Sequence, residues 1–194
     1  MAKPTLAYNE PYVLYKIEIK SLKVEFGNGA VLDVSHLLSN GRANYILFEN
    51  LISTFSGIGQ NSQGGKSDLR DVAGFNFEVK SYQDVEAYPA SKVDFFHTAS
   101  SSTFGANNHG PVVKRLLDEG NYGAALELCK EKGYDKNDFY VYVNSAQYRI
   151  DVPLSYVIVP KPEVLRLLSK SDPRLISRRD VLGLVTKTIE ISGL

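Results

Sequence analysis

Apolar and charged residues alternate from Tyr15 to Phe26, and this period of two predicts a half-buried strand that Gly27-Asn28-Gly29 then turns. From Arg42 to Phe55 the period changes. Leu47, Phe48, Leu51, Ile52 and Phe55 recur at helical spacing, which predicts an amphipathic helix entered through Ser39-Asn40-Gly41, with Glu49 at the edge of its apolar stripe. Gly74 to Ser81 returns to a period of two: Phe75, Phe77 and Val79 point to one face, Asn76, Glu78 and Lys80 to the other. Pro111 to Lys132 reads as a pair of short helices broken at Gly120-Asn121 and closed by Gly133. Phe139 to Val143 and Tyr148 to Val159, rich in aromatic and β-branched residues, read as strands, while Pro162 to Ser169 and Arg178 to Thr188 read as helices. Interleaved helices and strands predict an α/β fold with a mixed β-sheet flanked by α-helices.

No internal repeat, low-complexity tract or linker divides this order, so residues 1–194 are read as a single domain. Composition changes the picture in a few places. A domain of about 150 residues already buries roughly 70% of its unfolded surface, so a chain of 194 residues, 43% hydrophobic, holds a core without staples. Cys129 is the lone cysteine, which rules out an intramolecular disulfide or a cysteine-rich metal cluster and makes the cytoplasm the expected compartment. Residues 1–30 carry Lys3, Glu10, Lys16, Glu18, Lys20 and Lys23 and no apolar run long enough for a signal core or a membrane span. With 22 Lys+Arg against 22 Asp+Glu the net charge is +0, so any nucleic-acid site must be local, because a polybasic binder draws its affinity from counterion release over much of its surface.

The chemistry gathers at the strand 74–81. Glu78 and Lys80 leave the same face with α-carbons about 6.6 Å apart along the pleat, so a carboxylate and an amine overlook one point. Asp68 ends the glycine-rich stretch Gly57 to Ser67, and a short hairpin through Asp71 to Gly74 would return the chain to set Asp68 beside Glu78. A pair of hard oxygen ligands with room for water suits Mg²⁺. Such an ion polarises a phosphodiester and acidifies its water, and a neighbouring lysine orients that water or offsets the developing charge.

Asp68-Leu69, with nine residues between Asp68 and Glu78, and Phe77-Glu-Val-Lys-Ser81 resemble the PD-(D/E)xK nuclease motif, whose superfamily includes many type II restriction endonucleases and archaeal Holliday-junction resolvases. Ser67 stands where the motif's name has proline. The resemblance covers about residues 41–82. It implies a restriction-endonuclease-like mixed sheet, Mg²⁺ dependence, products with 5′-phosphates, metal positions at Asp68, Glu78 and Val79, and Lys80 assisting the attacking water. The helix that precedes this motif often supplies another acid, and Glu49 fits that place. Asp71, closer to Glu78 in sequence, is the alternative ligand; Asp68 is preferred because it leaves enough residues for a strand, a turn and the return.

An E-x-K triplet arises about once by chance in a chain of this length. A second triplet, Glu18-Ile19-Lys20, has no aspartate before it and reads as an ordinary strand face, which makes it an internal control. Gly59 to Ser67 nearly spells a phosphate-binding loop, but its spacing is one residue too long and a helix precedes it where a strand should. His36, His97 and His109 lack the paired spacing of a zinc site. The polar segment His97 to Gly110, with Ser101, Asn107, Asn108 and His109, is expected to border DNA together with Lys66, Ser81 and Gln83, and Lys170, Arg174, Arg178 and Arg179 form a secondary basic cluster. The expected function is Mg²⁺-dependent endonuclease action on double-stranded DNA, of the type II restriction kind, by a homodimer if the target is palindromic. The alternatives are a structure-selective nuclease resembling a junction resolvase, and a non-catalytic DNA-binding subunit.

Overall fold

A computed structural model describes residues 8–19, 21–39, 44–61, 67–82, 109–132, 137–144, 154–170 and 178–192. Its frame is a seven-stranded sheet in the order β4-β5-β6-β7-β8-β1-β9. The strands are β1 (Val13–Ile17), β4 (Gly59–Gln60), β5 (Leu69–Arg70), β6 (Asn76–Tyr82), β7 (Phe139–Asn144), β8 (Leu154–Pro160) and β9 (Lys187–Ile191). β2 (Lys23–Glu25) and β3 (Val31–Asp33) pair only with each other. The sheet is mixed: β6 runs parallel to β7 and β1 parallel to β9, while every other neighbouring pair is antiparallel.

Helices cover both faces. On one face α1 (Asn44–Ser56) sets Phe48 and Ile52 against Tyr15, Leu69, Phe77, Val141, Tyr156 and Ile158. On the other, α2 (His109–Asp118), α3 (Tyr122–Lys132), α4 (Lys161–Lys170) and α5 (Arg178–Leu182) pack Val113, Leu117, Ala125, Val164, Leu168 and Val181 against Tyr140, Tyr142, Val157 and Val159. Central β7 and β8 therefore send alternate residues into separate cores. That is why Tyr140 to Val143 and Leu154 to Val159 are buried throughout, as continuous runs rather than alternations. Each fully buried side chain of this size is worth about 1.5–3 kcal/mol against exposure.

The α/β class with a mixed sheet flanked by helices is what the structure has. Several elements differ from the sequence reading. The alternating stretch from Tyr15 to Phe26 is broken: β1 stops at Ile17, and Leu22 turns away, its amide donating to Ser35 Oγ and its carbonyl accepting from the Val34 amide. The chain then enters the small β2–β3 sheet, whose Val24 and Leu32 pair across it in the open. The helix read over 178–188 ends at Leu182, and Lys187 and Thr188 belong to β9, where β1 offers a parallel edge. Gly133 and residues 148–153 lie outside the described residues. Among the described residues no helix is long and apolar enough to cross a membrane.

Candidate functional site at the β5–β6 hairpin

The site begins where α1 ends. Gly57 takes the left-handed conformation (φ 72) that releases the chain from the helix, and β4 follows directly. β5 and β6 form a hairpin whose turn is held by Asp71: its amide donates to the Phe75 carbonyl (3.1 Å), its carbonyl accepts from Gly74 (3.1 Å), and its Oδ1 accepts from the Phe75 amide (2.9 Å). Gly74, at φ 92, occupies a region that side-chain-bearing residues avoid. Asp71 is thereby committed to the turn. Of the alternatives that spacing left open, only Asp68 reaches the E-x-K triplet.

Asp68 is moored on both sides of Glu78. Its amide donates to the Phe77 carbonyl (3.1 Å), and its Oδ2 accepts from the Val79 amide (2.7 Å). β5 starts only at Leu69, so the carboxylate serves Val79 where the ladder stops. Glu78 and Lys80 pair in register with Tyr140 and Tyr142, which fixes them on the face of α2–α5, while Phe77 and Val79 enter the core beneath α1. Lys80 Nζ donates to Glu78 Oε1, with both side chains largely withdrawn from solvent (14% and 21% exposed). Glu78 Oε2 accepts from Asn137 Nδ2 at 3.3 Å.

The electrostatics follow from this crowding. Burial, then the neighbouring Glu78 charge, pushes the Asp68 carboxyl up to about 6, against the opposing pull of the Val79 amide and Lys80. Glu49, half-buried on α1, is raised for the same reasons: burial first, then the charges of Asp68 and Glu78. Glu49 thus meets the hairpin acids through its charge. Among the described residues no group of three or more His, Cys, Asp or Glu side chains could hold a metal ion.

The remaining expected residues divide plainly. Ser81 is on β6 and His109 opens α2. Lys66, Gln83, Ser101, Asn107, Asn108, His97 and Arg174 lie outside the described residues. Arg178 and Arg179 open α5 and Lys170 ends α4. The near-match to a phosphate loop begins on β4, a strand, and its residues 62–66 are not described. Asn137 was not anticipated. It precedes β7 and owes its place to parallel β6–β7 pairing, which no local pattern encodes. Compared with protein-family models, curated proteins and solved structures, the chain matches none.

Proposed function

We propose that this chain is a Mg²⁺-dependent endonuclease of the type II restriction kind, hydrolysing phosphodiester bonds of double-stranded DNA to leave 5′-phosphates. The observation that carries the reading is the mooring of Asp68 to both neighbours of Glu78, beside the Lys80 amine. The donor set fits the ion. Asp68 and Glu78 offer hard oxygens only, Asp68 uses Oδ2 but not Oδ1 in its bond to Val79, and the buried Asn137 Oδ1 accepts no hydrogen bond. Mg²⁺ is commonly held by one or two carboxylates plus phosphate oxygens and retained waters, so a third acid is not required. When bound, the ion supplies Lewis-acid polarisation of the phosphodiester and a more acidic water.

The chain's own groups do the rest. Asp68 holds its proton unusually tightly, so it would hold the ion more readily as pH rises and that proton leaves. Lys80 is oriented by Glu78 and shielded from solvent, which strengthens its field at a phosphate oxygen or an attacking water. The negative charge of Glu49 adds to the attraction for a cation from the α1 side. A two-fold homodimer would match a palindromic target.

The test is plasmid cleavage with Mg²⁺ against EDTA, for the parent, Asp68→Ala and Lys80→Ala. Discrete fragments from the parent, none in EDTA and none from either variant support the proposal. Cleavage restricted to branched DNA assigns a junction-resolving nuclease instead. Intact DNA under every condition, with DNA retained in a gel shift, assigns a binding subunit.

A further inference from the structure

Asn137 is a buried polar residue that touches the triplet. It is 5% exposed, and its Nδ2 donates to Glu78 Oε2 at 3.3 Å. The orientation of its amide is dictated by chemistry: an ionised carboxylate only accepts, so the nitrogen must face Glu78 and the oxygen must face elsewhere. That oxygen, Oδ1, is buried and accepts nothing. A buried acceptor without a partner is rare in folded proteins, and one fixed beside an acid pair points to a donor supplied from outside the chain.

The backbone holds Asn137 firmly in this position. Next to it, Asp138 is tied to the start of β6 by a reciprocal pair, its amide donating to the Asn76 carbonyl and its Oδ2 accepting from the Asn76 amide, each at 2.9 Å. The Lys161 amide donates to the Asp138 carbonyl at 2.9 Å, which anchors the same segment to the start of α4. Glu78 is therefore held from two directions, by Lys80 at Oε1 and by Asn137 at Oε2.

We propose that Asn137 is a positioning residue of the cation site: its amide nitrogen holds Glu78, and its carbonyl oxygen accepts a hydrogen bond from water carried by a divalent ion at Asp68 and Glu78. The inference rests on the metal site of the proposed function and adds to it an uncharged partner from β7's entry. Residues that orient metal ligands change metal affinity by about 10–100-fold when removed.

The experiment uses Mn²⁺ alone, without DNA, counting free ion by its electron paramagnetic resonance signal, with Mg²⁺ as competitor. The parent is expected to bind Mn²⁺ that Mg²⁺ displaces, and Asp68→Asn to lose it. Asn137→Ala should weaken binding about tenfold or more. Asn137→Leu, of similar volume but with neither the donor to Glu78 nor the outward acceptor, should weaken binding by a similar factor, and it carries the test if the alanine variant does not fold. Asn137→Ala or Asn137→Leu binding Mn²⁺ within twofold of the parent overturns the role of Asn137 while leaving the metal site intact. A parent that binds no Mn²⁺ overturns the metal site itself, and this inference with it.

Discussion

The chain contains the same triplet at two places, and the structure treats them differently. Glu18 and Ile19 follow β1, with Lys20 outside the described residues: Glu18 is exposed, Ile19 is buried, and the backbone of Glu18 extends the contact with β9 by donating to Ile191 at 3.1 Å. Glu78-Val79-Lys80 lies inside β6, where Glu78 bonds Lys80 and Asn137 and the Val79 amide bonds Asp68. The local pattern is identical. What differs is the neighbour: β1 lies between full-length strands β8 and β9, whereas β6 lies beside a two-residue strand whose flanking acid fills the gap in the ladder. A short neighbouring strand thus brings an acid to an otherwise ordinary alternating strand.

The contrast can be broken most decisively through activity. Alanine at Lys80 or Asp68 should lower Mg²⁺-dependent cleavage by about 10²–10⁴-fold, the usual range for a positioned proton-transfer or charge-stabilising group, while Glu18→Ala cuts like the parent. Equal losses at Glu18 and Lys80 would end the distinction. In stability, Glu78→Ala strips the partner from a largely shielded lysine and from Asn137, and should cost about 2 kcal/mol in urea unfolding. Glu18→Ala, at an exposed side chain, should stay within about 0.5 kcal/mol.

Acid dependence sharpens the comparison further. The folded carboxyl of Asp68 titrates near 6 and the unfolded one near 3.8, so the folded chain holds this proton more tightly. Its stabilising effect is complete below about pH 4 and is lost as pH rises through 6. In EDTA, Asp68→Asn should therefore melt above the parent at pH 7–8, by an amount on the order of 1–2 kcal/mol, and the gap should close below pH 4. A gap that is constant across this range would show that Asp68 ionises as it would in water. The smallest effect concerns the other aspartate: Asp71→Ala removes only the turn bond to Phe75, costing about 0.5–1 kcal/mol, with cleavage unchanged.

Much of this was legible locally. Period two puts Glu78 and Lys80 on one face, turn chemistry announces the hairpin at Asp71–Gly74, and helical spacing announces α1 with Glu49 at the margin of its buried stripe. These depend on residues a few positions apart, whose geometry the backbone repeats without regard to the rest of the molecule. The failures are of another kind. The helix read over 178–188 runs into Lys187 and Thr188 of β9, because the pairing partner of that strand, β1, lies at the opposite end of the chain. Tyr15, Tyr140, Tyr142 and Tyr156 are fully buried, placed by pairing between strands far apart in sequence.

Sequence by itself determined the alternation that aims an acid and an amine the same way, and the mixed α/β class. Tertiary structure alone gave Glu78-Val79-Lys80 its partners, through the shortness of β5, the commitment of Asp71 to its turn, and the approach of Asn137 to Glu78 from 59 residues away. The physical reason is range. Side-chain direction follows from neighbouring dihedral angles, whereas the burial and charge that define a site arise only when distant segments share one volume from which water has been removed.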